Sequence, residues 1–146
     1  MTIKQLSVFL ENERGSLTNV LEILGKNKVN LIALSLADTA EYGMLRMIVS
    51  DPEKGMKLLR EQGISAHLVD VMAIKVSHKC GSLYEITNLI MQCADIEYMY
   101  AFANGDDASV IVKVSDFEKV KEILEEKGIQ IWSAEEAYNL NLEREL

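Results

Sequence analysis

The strongest constraint on this chain is that it repeats itself. At an offset of 66, Leu6, Val8 and Leu10 fall on Met72, Ile74 and Val76, and Gly15-Ser16-Leu17 falls on Gly81-Ser82-Leu83. Val20 and Leu24 fall on Ile86 and Ile90. One residue then drops out. At an offset of 65, Leu31 matches Ile96, Val49-Ser50-Asp51 matches Val114-Ser115-Asp116, and Gly63-Ile64 matches Gly128-Ile129. Identities cluster at turns and helix starts, while the stretches between them match in apolar character. That distribution marks a duplicated structural unit.

Within the first copy, Leu6, Val8 and Leu10 alternate with Ser7, Phe9 and Glu11, the period of a strand with one face on a core. Asn12 to Gly15 is turn chemistry. Ser16 is placed to cap a helix whose apolar face is Leu17, Val20, Leu21 and Leu24. A strand at about Leu31 to Ala37 follows, then a turn through Asp38 to Gly43 and a strand with Leu45, Met47 and Val49 on one face. The next helix starts either with Ser50 and Glu53 as a capping box or with Asp51 as cap and Pro52 at the first helical position. It stops before Gly63, and a last strand lies near Ser65 to Val69.

Each copy therefore reads strand–helix–strand–strand–helix–strand. The predicted fold class is α+β, two tandem ferredoxin-like βαββαβ domains, each an antiparallel four-stranded sheet with two helices on one face. The boundaries are 1–69 and 70–146, the second including a polar, helix-prone tail after Trp132. No Pro/Gly/Ser-rich linker separates the copies. In the second copy, Ile96, Tyr98, Tyr100 and Phe102 are expected on the sheet face away from the helices, with Met99 and Ala101 toward them. An open face carrying three aromatics needs cover, and another sheet, from the first copy or from a second chain, is the expected cover.

With 146 residues, 49% of them hydrophobic, two small domains are affordable only if they bury surface together. The formal net charge of −8 argues against nucleic acid and against an anionic membrane surface, both of which select for basic faces. No apolar run approaches the roughly 20 residues that span a bilayer. Cys80 and Cys93 are too few for a disulfide framework, and no signal peptide precedes the first strand, so the expected setting is reducing and cytoplasmic.

The chemistry concentrates at the two strand–Gly–helix corners. A helix starting at a glycine turn presents amides without intrahelical partners, and with the helix dipole they suit a carboxylate. Asn12 and Asn30 are expected to flank the first corner, offering donors and acceptors together. In the second, Asp95 suits an ammonium and the amides after Cys80 suit a carboxylate. The alternative is a turn and cap that only shape the fold. Other constellations are weaker. His78, Cys80 and Cys93 lack metal-site spacing, and Cys93 reads as a buried thiol on the apolar side of a helix. His67 reads as structural or solvated. Ser16 and Ser82 lack a histidine base, so neither reads as a nucleophile. Glu122, Glu125 and Glu126 with nearby lysines read as a solvated helix face. No catalytic residue, metal site or cofactor is predicted.

The first copy also resembles the ACT domain, an amino-acid-sensing module of metabolic enzymes, and within it the regulatory small subunit of acetolactate synthase. The residues that carry this are Glu11-Asn12-Glu13-Arg14-Gly15, Leu17 and Asn30-Leu31. The second copy resembles it through Gly81, Leu83 and Asp95-Ile96, with Lys79-Cys80 in place of an acidic-proline pair. The resemblance implies a free-standing, non-catalytic regulator, a homodimer with a possible partner enzyme, that binds a small amino acid between ACT units. It implies ligand-binding residues Asn12, Glu13, Arg14, Gly15, Ser16, Leu17, Asn30 and Leu31 at the first corner. At the second it implies His78, Cys80, Gly81, Ser82, Leu83, Asp95 and Ile96. Copy one lies closer to the family pattern, so its Asn12–Leu17 corner is the first choice for the functional site.

Overall fold

The computed structural model describes residues 2–38, 41–104 and 107–139. The elements in chain order are β1 (Ile3–Glu11), α1 (Ser16–Lys26), β2 (Leu31–Asp38), β3 (Tyr42–Val49), α2 (Pro52–Glu61) and β4 (Ala66–Val76). They are followed by α3 (Ser82–Met91), β5 (Ile96–Asn104), β6 (Asp107–Val114), α4 (Phe117–Glu126) and α5 (Ala134–Tyr138). The duplicated βαββαβ order is present, and contacts divide the chain into two compact units. One contains Lys4–Val69 with residues 135–138 of the last helix, and the other Asp70–Ala134 with residues 2–3. Each copy thus keeps its body but not its terminus. Lys4 N–H donates to the Tyr138 hydroxyl at 2.7 Å, and Thr2 donates to Asp70 at 2.9 Å.

In the first-copy unit the strand order is β2-β3-β1-β4, with β3 antiparallel to both neighbours. Phe9 N–H donates to Ser65 C=O where the chain enters β4. Leu6, Val8, Leu10, Leu45, Met47 and Val49 face Val20 and Leu24 of α1 and Leu59 of α2 in one core. Alternation put these side chains on one side, and burying them against two amphipathic helices closes that side. The other side of β1 is also covered near its start. Gln5 and Ser7 are buried there, and Gln5 Nε2 donates to Ser7 Oγ at 3.0 Å.

The second-copy unit repeats this with β4-β6-β5. Its fourth strand shrinks to a bridge between Ile74 and Ile131, flanked by Lys75 N–H to Gln130 C=O and Trp132 N–H to Ala73 C=O. Met72, Ile74, Ile86, Ile90, Val112, Val120 and Leu124 form its core. Met99 packs on that core, as alternation requires, and Tyr98, Tyr100 and Phe102 are half-buried. Ile96 departs from the expectation. A β-bulge between Ile96 and Tyr98 moves Ile96 to the helix side, because an extra residue shifts the period-two face. Phe102 lies 6.5 Å from Trp132, whose Nε1 donates to the buried Ser109 hydroxyl at 2.7 Å. Cys93 also differs. It lies beyond the end of α3, half-buried, rather than on the helix.

The start of α2 settles the choice between its two caps, and α4 repeats it. Asp51 caps α2 through Lys54 N–H at 3.2 Å with Pro52 in the first turn, and Asp116 caps α4 through Lys119 N–H at 3.1 Å. Ser50 and Ser115 are thereby free for another task. Their hydroxyls accept from the amides of Asn30 and Asp95, each at 2.9 Å, and tie the start of β2 or β5 to the end of its neighbour.

Candidate functional site

Ser16 and Ser82 do not cap their helices. The N-cap positions belong to Gly15 (φ 91°) and Gly81 (φ 86°), with no side-chain cap bond at either. A positive φ is costly for any residue with a Cβ, so glycine is what lets the strand turn directly into the helix here. Ser16 N–H donates to Glu13 C=O at 3.2 Å, and Ser82 N–H to Lys79 C=O at 3.2 Å.

At the first corner this turn forms one wall of a cavity of about 610 Å³. The end of β1 contributes Phe9, Leu10 and Glu11, the turn and α1 contribute Glu13, Ser16, Asn19 and Val20. Glu41, just before β3, and Tyr42, its first residue, add to it, with Gly63, Ile64 and Ser65 from the α2–β4 connection. Phe9 and Tyr42 meet edge to face at 5.3 Å, and Phe9 stacks on His67 at 5.7 Å. Phe9 and Tyr42 remain 38% and 40% exposed, their side chains alternating with the core residues toward the sheet face away from α1. The volume lies within the roughly 300–1,000 Å³ of small-molecule sites.

The second corner has the same construction and a smaller cavity, about 380 Å³. Lys75 stands in the place of Phe9, Ser77 of Glu11, Glu85 of Asn19, and Gln130 of Ser65. The Lys75 ammonium lies 4.4 Å from the centre of the Trp132 ring.

Of the residues expected at the first corner, Glu13 and Ser16 line the cavity. Asn12, Arg14 and Gly15 form the adjoining turn, and Leu17 packs against the core. Asn30 and Leu31 do not flank this corner. Leu31 pairs with Val49 at the far end of β3, whereas Glu11 pairs with Tyr42 at the near end. Seven residues of strand separate the two ends by about 23 Å, at roughly 3.3 Å per residue. In the second unit Ser82 lines the cavity, and His78, Cys80 and Gly81 are exposed in the turn. Leu83 is 41% exposed. Asp95 and Ile96 line a separate groove with Tyr84, Asn88 and Met91. Among the described residues no cluster of His, Cys, Asp or Glu could hold a metal, and no helix is long and apolar enough to cross a membrane.

Sequence reasoning missed Phe9, Asn19, Glu41, Tyr42 and the Gly63–Ser65 turn. One signal was available: the Gly-Ile pair at 63–64 recurs at 128–129, and Ile64 and Ile129 line the two cavities. Tyr42 carried no such signal, because only strand pairing brings it beside Glu11.

The duplicated fold with a glycine turn at each first helix defines a class of regulatory module. The sequence matches the family described as ACT domain pair over residues 1–141, and the chain belongs to that family. It is 40% identical to protein BT0572 from Bacteroides thetaiotaomicron, whose crystal structure superposes with a TM-score of 0.89 over 94% of this chain and 96% of that one. The regulatory subunit of aspartate kinase from Thermus thermophilus, in its ligand-free form, shares the fold at 13% identity, with a TM-score of 0.65 over 86% of this chain and 91% of that one. E. coli aspartokinase III, in complex with lysine and aspartate, matches at 15% identity and a TM-score of 0.50, over 86% of this chain and 31% of that one. No curated protein matches the sequence significantly.

Proposed function

We propose that this protein is a non-catalytic regulator that binds an amino acid at the Gly15 corner and passes its occupancy to a partner enzyme in the cytoplasm. The observation that carries this reading is the cavity of about 610 Å³ beside the start of α1, lined by Glu11, Glu13, Ser16 and Asn19 together with the apolar Leu10, Val20 and Ile64. The helix start suits the α-carboxylate, the glutamates suit the α-ammonium, and the apolar lining suits the side chain. Asn30 lies too far from Gly15 to share a ligand with it inside one unit. The two meet only if a second copy brings its own Asn30 to the corner, so the reading includes a homodimer. A ligand gripped from both copies favours the arrangement in which both touch it, which is how binding becomes a signal.

A thermal-shift panel of the twenty amino acids tests the reading. Ligand at 100 times its Kd adds about 2.7 kcal/mol, which is readily seen as a rise in Tm. No shift with any amino acid at millimolar concentration removes it.

A second reading names the partner. The Glu11–Gly15 and Asn30-Leu31 segments favour a regulatory subunit of acetolactate synthase or of another amino-acid biosynthetic enzyme, a role of the kind the Thermus chain has for aspartate kinase. Co-purification of a large thiamine-diphosphate enzyme with the tagged chain supports it, and recovery of the chain alone or with a different enzyme rejects acetolactate synthase.

A further inference from the structure

We infer that α3 is a self-association surface that packs antiparallel against α3 of a second copy of this chain. The inference does not depend on the amino-acid reading. Ile86 and Ile90 hold one side of α3 in the core. A second stripe, Tyr84, Asn88 and Met91 at i, i+4 and i+7, runs along the other side. Tyr84 and Met91 are each 70% exposed, more than any other large apolar residue among those described. With Ala94, Asp95 and Ile96 the stripe lines a groove of about 310 Å³. Folding does not require apolar residues there. The same places in α1 hold Thr18, Glu22 and Gly25, and Lys26 bonds to Glu22 on that face.

The pattern is complementary to itself. A two-fold axis at the middle of α3 brings Tyr84 of each copy onto Met91 of the other, an aromatic–thioether contact made twice. The stripe carries no charge, so two chains of net charge −8 can meet along it. The charged residue of α3, Glu85, lines the second-corner cavity instead. The ends of the helix are charge-complementary under the same axis. Lys79 is exposed just before α3, and Asp95 and Glu97 are exposed just after it. Lys79 and Asp95 have no ion-pair partner among the described residues. Antiparallel packing sets the basic end of one copy beside the acidic end of the other, where Asp95 also meets the positive end of the partner helix.

Sedimentation velocity of the whole chain, from micromolar to sub-millimolar concentration, tests the contact with Tyr84→Glu, Met91→Lys and the double variant. Each single change is expected to weaken one doubling of mass roughly tenfold, whether or not the first corner joins copies as well. The double variant is expected to restore most of that loss, because the introduced glutamate of one copy meets the introduced lysine of the other. Within one helix the two sites lie about 10.5 Å apart along the axis at 1.5 Å per residue, too far to pair, so the rescue reads only the antiparallel contact. Thr18→Glu, at the equivalent place in α1, is the control and is expected to leave the mass unchanged. All of these sites are exposed, so helix content by circular dichroism is expected to match the wild type. Thermal shifts with amino acids are expected to be unchanged too, which keeps failure of this contact apart from failure of the binding reading. Self-association that survives both single changes, or a double variant no better than the singles, overturns the inference. A wild-type chain that stays monomeric throughout also overturns it and leaves the face to a different protein.

Discussion

At the first corner Phe9 and Tyr42 pack edge to face over a cavity of about 610 Å³. At the second, Lys75 takes the place of Phe9 and lies against Trp132 beside a cavity of about 380 Å³. The backbone of the two corners is nearly the same, with N-cap glycines at φ 91° and 86° and equal amide-to-carbonyl bonds in the turns. What differs is the set of side chains that face the opening. The repeat has kept the glycine turns and the apolar character of the core positions.

The largest effect expected separates the two units rather than the two corners. Leu24→Ala and Ile90→Ala remove equivalent buried side chains, 3% and 0% exposed, and each is expected to cost about 2–5 kcal/mol. Trp132 belongs to the second unit, so Ile90→Ala must lower the denaturation midpoint read from its fluorescence. An unchanged midpoint would contradict the core assigned here.

The glycine turns come next. Gly15→Val and Gly81→Val place a β-branched residue at positive φ, and each is expected to destabilise by at least about 1–2 kcal/mol in urea melts. Amino-acid binding is expected to fail only in Gly15→Val. Loss of binding in Gly81→Val alone would reverse the ranking of the corners.

Ser50→Ala and Ser115→Ala remove the hydroxyls that accept from Asn30 and Asp95, at about 0.5–1.5 kcal/mol. The first is expected to cost more, because its bond is half-buried and the second is exposed. Equal losses in chemical denaturation would show that burial does not set the difference.

The smallest effect concerns a pair that one copy has and the other lacks. Lys26 bonds to Glu22 at 2.6 Å on the exposed face of α1, and the corresponding residues of the second copy are Asn88 and Gln92. The Lys26 hydrogen bond and charge hold the Glu22 carboxyl below its ordinary value. A carboxyl lowered in the folded state stabilises above its unfolded-state value and loses that contribution as pH falls through the folded-state value. Full exposure makes the contribution slight, so Lys26→Ala is expected to leave Tm at pH 7 within error. A clear drop at pH 7 that persists in acid would show that Lys26 acts through packing instead.

The fold was legible because periodicity and turn chemistry are local. Leu6, Val8 and Leu10 had to share a face, Asp51-Pro52 could start a helix, and the repeat at Gly15 and Gly81 announced two units of one design. Legibility weakened where a neighbour in space made the decision. Ile96 read as one of the outer row until a bulge turned it inward. Gly55 and Val120 occupy equivalent places in α2 and α4, yet a Cβ on Gly55 would lie 3.0 Å from Leu6. Nothing local to Gly55 shows that close approach.

The site followed the same division. The start of α1 and its turn, Glu13 and Ser16 among them, were readable from the residues around Gly15, because a helix start is made by consecutive residues. Asn30 is expected at the same corner for its donors and acceptors and from the family resemblance, and the strand carries it about 23 Å away at roughly 3.3 Å per residue. Phe9, Glu41, Tyr42 and Ile64 come together from three separate segments only when β3 pairs with β1 and the chain returns through β4. Local sequence can specify a turn and a helix start, but a cavity wall is made of residues far apart in the chain, and their meeting is decided by strand register and core packing.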